Sequence, residues 1–514
     1  MKGIEHLRSI HHMMDKNERL VLRNYLTAFE SRKKGHKPKT LILLDLLEKY
    51  TDDEKVVTLL KKKVLQEDAR RMVVSRLRDK MLASLTLDVN LSREETYDEQ
   101  ARAMASVVKG KLQGRLLIAR GRRDIGFQVL DRYIQLAKQF ELYDDLVDML
   151  GVERQFIKAW KGSDEAFYSV DNEIQNYALC RDAVNLAKKY YEEITMRYGF
   201  KGLNRTNPDH EQLQYLKTRS EELHAVFEQT SSATVGYYFY YVLIEYCQVQ
   251  NKLNEASQHL NSLAQMVENN PSINRRVRLA TVYGNLGANE LWMHRFSEAE
   301  SYLKRSLEFL RPDTRNYALI VEYVFYTQFY SGNLVAANNS LESLVASKYV
   351  DQSEFRKAVR NYLLACVAFG LGQFKQVNRY LSESQGIGKD KEGWNFGSRV
   401  LTIMLALEQE KFDYADSLIV NLRQFVREGL KGIEMRKRDI LILDMLVELR
   451  KNSYNFNDAK DAKPAILKSL FKDDIETGWV VQTPEMICFH TWFSDKLNER
   501  AYQINYTKEH LFRS

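Results

Sequence analysis

An all-α chain of consecutive helical hairpins is predicted by three features of the sequence. Proline is scarce, six in 514 residues, and each falls where a loop is expected, as in a chain that is helical nearly throughout. Apolar residues recur at helical spacing over long tracts. A short element also returns roughly every 40 residues: a large apolar residue, a small one three positions on, and another large apolar residue four beyond that. Units of this kind bury their apolar faces only against one another, so the expected architecture is a solenoid of helical hairpins.

Bulk properties bound the class. With 44% hydrophobic and 28% charged residues, the chain is long enough for several domains or one extended array. No apolar run is long enough to span a bilayer, and the N-terminus lacks an apolar run of the signal-peptide kind, so the expectation is a cytoplasmic protein with no membrane partner. Cys180, Cys247, Cys366 and Cys488 lie far apart within helical patterns, which favours reduced, buried thiols over a disulfide framework or a zinc site.

Residues 1–100 read as a basic helical region. The first 125 residues hold 28 Lys and Arg against 18 Asp and Glu, which places ten units of net positive charge there and leaves the remainder slightly acidic. Capping boxes, in which a side chain and a Glu three residues later bond each other's amides, are expected at Asp15–Glu18, Thr51–Glu54 and Ser92–Glu95. Between the first two lies a basic loop with Arg32, Lys33, Lys34, Lys37 and Lys39. Such a cluster can neutralise phosphates, so these five are the candidate nucleic-acid contacts. A polar helical cap on the N-terminal end of the array explains the same composition.

Residues 101–230 read as divergent hairpins. The tract 116–118 leads through 120–123 into a helix carrying Val129, Leu130, Ile134 and Ala137, with Gly126 at the small position, and another hairpin starts near 142. Charged helices are expected over 178–198 and 209–229, separated by the loop 199–208.

Residues 231–430 carry the repeat most clearly. Its fullest copy, 280–312, presents Tyr283, Leu286, Gly287, Phe296, Ala299, Leu303 and Pro312. These places resemble the pattern of the tetratricopeptide (TPR) family, in which an aromatic, a Leu-Gly pair, a second aromatic, an Ala, a large apolar residue and a closing Pro recur through a helical hairpin. Further copies of the short element start at Leu253, Leu334, Phe374 and Phe412, with Ala256, Ala337, Val377 and Ala415 at the small position. The whole-chain layout is similar to that of uncharacterised bacterial cytoplasmic TPR proteins, a likeness that implies no activity. The resemblance implies a right-handed helical-hairpin solenoid in which the first helix of each hairpin lines a concave groove. Aligned on Leu286-Gly287, the groove places fall on Thr281, Asn285 and Ala288; on Tyr238, Tyr241 and Glu245; on Glu322, Tyr323, Tyr326 and Tyr330; and on Tyr362, Leu363 and Cys366. Tyrosine suits recognition of an extended peptide or a partner helix, because it offers a large rigid contact area with a polar tip. Five adjacent aromatics, 237–241, go all round a helix, however, so some of these rings must pack between helices.

Residues 431–514 read as a helical cap: an amphipathic helix over 435–450, an exposed polar loop over 451–463, and a final capping helix over 484–506 docked by Met486, Ile487, Phe489, Trp492, Phe493 and Leu497.

Searches for catalytic constellations yield none. The stretch 386–389 lacks two residues of a phosphate loop, and no serine elbow, zinc-binding His pair or dinucleotide fingerprint occurs. Cys488 and His490 are alternate residues on an expected helix, where side chains point apart, so they are not read as a dyad. The sequence therefore predicts a non-catalytic adaptor, without cofactor or metal, that binds a protein or peptide through Tyr238, Tyr241, Glu245, Asn285, Tyr323, Tyr326, Tyr330 and Tyr362. The alternative is a regulator whose N-terminal region binds nucleic acid while the solenoid senses a peptide or protein. Oligomeric state has no signature in these patterns.

Overall fold

The computed structural model describes residues 2–29, 37–87, 98–158, 162–198, 210–347, 353–390, 393–430, 435–474 and 476–512. Among them the fold is all-helical, with no strand, and no helix is long and apolar enough to cross a membrane. The chain divides into two compact units, Met1–Asp98 and Glu99–Ser514.

The first unit holds α1 (Lys2–Met13), α2 (Lys16–Phe29), α3 (Lys39–Lys49), α4 (Asp53–Lys63) and α5 (Glu67–Leu87). Its core is aliphatic, with Ile4, Leu7, Leu22, Leu26, Leu43, Leu44, Val56 and Leu77 shut off from water. The Asp15 box forms as expected: Glu18 N donates to Asp15 Oδ1 at 3.0 Å, and Asp15 N donates to Glu18 Oε2 at 2.8 Å. At α4 the cap shifts by one residue. Asp52, not Thr51, accepts from Glu54 N at 2.9 Å, since a carboxylate there also complements the helix dipole. The box expected at Ser92 lies outside the described residues.

The second unit begins with α6 (Glu99–Ala119), α7 (Arg123–Gln139), α8 (Tyr143–Phe156), α9 (Asp164–Tyr198) and α10 (His210–Thr230). Where the sequence suggests a helix starting near 178, α9 is one helix of 35 residues. Then come α11 (Ala233–Val249), α12 (Leu253–Asn269), α13 (Arg276–Trp292), α14 (Phe296–Glu308), α15 (Arg315–Tyr330), α16 (Leu334–Ala346), α17 (Glu354–Gly370), α18 (Phe374–Glu383), α19 (Trp394–Glu408) and α20 (Phe412–Gln424). Consecutive helices pack on one another along this series. The second helices α12, α14, α16, α18 and α20 start at Leu253, Phe296, Leu334, Phe374 and Phe412, where the repeated element begins.

One turn closes these hairpins. Three residues separate the helices, and the middle one is left-handed: Asn251, His294, Gly332, Gly372 and Glu410, and also Gly121 and Glu141 in the preceding series. The residue after it donates its amide to the carbonyl five back, as in Arg295 N to Glu290 O at 2.9 Å and Lys411 N to Ala406 O at 2.9 Å. That bond satisfies a carbonyl the helix end would otherwise leave bare. Glu141 does more. Its carboxylate accepts from Ala233 N at 2.7 Å and Thr234 N at 2.9 Å, so it caps α11 across some ninety residues of sequence.

The small position lies where the two helices of a hairpin cross. Ala256, Ala299, Ala337, Val377 and Ala415 are all completely buried. Gly287 of α13 faces the same crossing, where an added Cβ would stand 2.5 Å from Leu303 Cγ and 3.1 Å from Ala299 O.

Past α20 come α21 (Lys437–Lys451), α22 (Phe456–Ala462), α23 (Pro464–Leu470), α24 (Phe489–Leu497) and α25 (Lys508–Leu511). Two expectations change here. The polar stretch 451–463 contains α22, because Asn455 is an N-cap accepting from Asn457 N at 3.0 Å and Asp458 N at 3.2 Å. The final segment is helical only over Phe489–Leu497; Met486 and Ile487 are buried ahead of that helix. The backbone before α24 bonds to distant side chains instead of to its own next turn. Gln482 N donates to Tyr330 Oη at 2.8 Å, and Pro484 O accepts from Tyr362 Oη at 2.6 Å.

Candidate functional site

The first helices α13, α15 and α17 present one face on which two open clefts adjoin. The smaller, about 180 Å³, lies between α13 and α15 and is walled by Thr281, Gly284, Asn285, Ala288 and Tyr323. It exists because Gly284 and Ala288 are small; a Cβ on Gly284 would meet Ile320 Cδ1 at 2.7 Å. The larger, about 410 Å³, lies between α15 and α17 and is walled by Arg315, Glu322, Tyr326, Arg356, Arg360, Leu363 and Trp394. Leu319 lines both and is half exposed between them.

Charge in the larger cleft is unbalanced, with three guanidinium groups and one carboxylate. Glu322 has its pKa raised, because the concave walls strip its hydration more strongly than Arg356 and Arg360 stabilise its charge. Arg315 and Arg356 stand in the first turns of α15 and α17. Helix N-termini are themselves electropositive there, so the cleft rim attracts anions from both sources. The floor is aromatic and apolar: Tyr326 is buried and stacks on Tyr330 at 6.0 Å between centroids, and Trp394 meets Tyr362 edge-on at 6.1 Å.

The residues expected to line a groove separate into three groups. Thr281, Asn285, Ala288 and Tyr323 lie in the smaller cleft, and Glu322, Tyr326 and Leu363 in the larger. Tyr330, Tyr362 and Cys366 are buried, and both phenols bond the chain's own C-terminal segment. They are therefore not open surface, and the chain's own segment 482–486 lies against them. Tyr238 and Tyr241 line neither cleft. Their rings pack on Tyr191 of α9 at 5.4 and 5.6 Å, because the aromatic run winds round α11 and the long α9 lies beside it. Glu245, one turn on from Tyr241, is half-buried and also lies outside both clefts.

Sequence reasoning missed Arg315, Arg356, Arg360 and Trp394. The signal was present. Arginines open α13 at Arg275, Arg276 and Arg278, and carrying that offset forward one and two hairpins reaches Arg315 and Arg356, though not Arg360, one turn further into α17. On α13 these side chains are used structurally; Arg278 stacks on Tyr237 at 4.4 Å and Arg276 donates to Glu308 O at 3.2 Å.

In the first unit, Arg32, Lys33 and Lys34 lie outside the described residues. Lys37 is ion-paired with Asp45, and Lys39 is exposed at the start of α3.

Cys488 and His490 do meet, contrary to the expectation for alternate helical residues. Cys488 sits just ahead of α24, so its Sγ lies 3.2 Å from His490 Nδ1. His490 Nε2 is 2.9 Å from Leu511 O, which makes that nitrogen the donor and leaves Nδ1 to accept from Arg438 Nη2 at 2.9 Å. Burial pushes the Cys488 thiol up to about 12 and holds the imidazole well below its usual value. Both groups are neutral and sealed from water, so they form a packed polar network with Arg438 and Glu485.

Comparison with protein-family models and with curated proteins finds no match.

Proposed function

We propose that this chain is a TPR-like adaptor, non-catalytic, whose two adjoining clefts take an acidic, partly apolar segment of a partner protein or peptide. The observation carrying this reading is the larger cleft, where Arg315, Arg356 and Arg360 face a single carboxylate above an aromatic floor. Carboxylate side chains of a peptide pair with the guanidinium groups, and a neighbouring apolar side chain enters beside Leu319 and Leu363. The TPR part of the reading is supported by the repeated turn, the buried small residue at each crossing and the placing of the clefts on first helices.

The test is fluorescence anisotropy with labelled peptides of one length: acidic with interspersed Leu and Phe, the same with Gln for Glu, and basic. The acidic peptide is expected to bind best, and R315E with R356E should weaken it by at least tenfold while circular dichroism stays unchanged. Equal binding of all three peptides, or an affinity indifferent to that double variant, overturns the reading.

A further inference from the structure

On α6, the first helix of the second unit, one face is spent in the usual way. Ala103, Val107, Gly110 and Gly114 are buried against α7, where a Cβ on Gly110 would overlap the Tyr133 ring and one on Gly114 would meet Leu130. The other face is anomalous. Met104, Val108, Leu112 and Leu116 recur every fourth residue, and their exposures are 52%, 50%, 59% and 49%. Residues four apart stand one above another on a helix, so these four make one continuous apolar ridge. Other exposed apolar side chains, such as Leu65 and Val335, are not part of such a row and call for no partner. A terminal helix of a stacked array needs a polar outer face to remain single, and α6 lacks one.

We propose that this ridge is covered by the α6 ridge of a second copy of the chain, packed antiparallel. The row is self-complementary about Gly110: reversing one helix sets Met104 against Leu116 and Val108 against Leu112. It also sets Arg120, exposed at the end of the row, against the first turn of the second copy, where the exposed Glu99 supplies a carboxylate. A parallel pair would instead bring the two Arg120 side chains together and leave both acidic ends facing each other. Rows four apart interdigitate in the commonest mode of helix packing, which lets two such ridges approach closely. Lys109, the charge beside the centre of the row, lies on its flank and keeps its ammonium in water.

The test uses the full chain. Sedimentation equilibrium at about 50 μM should give twice the chain mass, and V108E with L112E should give a single-chain mass, its dissociation constant raised at least about a hundredfold. Orientation is read by oxidation of two single variants. V108C mixed with L112C should form an inter-chain disulfide, while each alone should form little. A native chain that is monomeric at this concentration, a dimer unaffected by V108E with L112E, or cross-linking of each single variant alone as strong as in the mixture overturns the proposal.

Discussion

The most demanding side chain in the molecule is Arg438. It is buried, and it donates from Nε and Nη2 to the two oxygens of Glu485 at 2.5 and 2.8 Å, and from Nη1 to Leu470 O at 3.0 Å and Thr477 O at 2.7 Å. Two charges taken out of water are tolerated here because the guanidinium uses all five of its N–H donors, the remaining one on His490 Nδ1. Removing one partner strands the other, so R438A should lose about 3–5 kcal/mol of stability in urea unfolding, and adding E485Q should recover part of that loss. His490 gives a second outcome. Its folded pKa is depressed by burial and by Arg438, so below the ordinary histidine value the unfolded chain takes a proton that the folded chain refuses. The stability from keeping it neutral is fully present above about pH 6.5 and is lost as pH falls, at about 1.4 kcal/mol per unit for this group. His294, depressed for the same first reason, adds to the slope. The urea midpoint should therefore fall between about pH 7 and 5, and H490Q should flatten the fall.

At the scale of the element, the hairpin was largely legible beforehand because its determinants are local. The small residue at each crossing leaves a mark in the sequence, and Leu253, Phe296, Leu334, Phe374 and Phe412 mark the helix starts, whereas the left-handed turn residue does not, being His294 or Glu410 as well as Gly332. The crossing is tight enough to test. G287A should destabilise by about 1–3 kcal/mol, since the new methyl meets Leu303 and the Ala299 carbonyl. The control is G151A in α8, where an added Cβ meets nothing within 4 Å and helix propensity should stabilise by about 0.5–1 kcal/mol. Equal effects at the two positions would remove the crossing argument. Less legible were the elements whose stability is borrowed. Asn455 caps a short helix where composition alone suggests a loop, and the backbone at 482–486 is held by Tyr330 and Tyr362, which lie more than a hundred residues away.

For the second unit as a whole, the C-terminal segment is core and not a trailing end. Met486, Phe489, Trp492, Phe493 and Tyr506 are all completely buried in the same apolar cluster as Phe325, Phe329 and Tyr362. Ending the chain at residue 478 should therefore abolish cooperative unfolding of this unit and produce strong binding of an apolar dye; a sharp, unchanged transition would show the segment dispensable. The same segment explains why only part of the candidate site could be read in advance. Alignment of repeats marks which positions lie on first helices, and of these Thr281, Asn285, Ala288, Glu322 and Tyr323 line the two clefts. It cannot tell which stretch of that face the chain covers with itself, nor that α9 turns Tyr238 and Tyr241 into packing. Those outcomes depend on contacts between residues remote in sequence. What the sequence determined by itself was the all-helical fold and the starts of the second helices from Leu253 to Phe412, through periodicity and a short repeated element that act within a few residues. What only the tertiary structure decided was which side chains remain open to a ligand, because burial is settled by the whole packed chain.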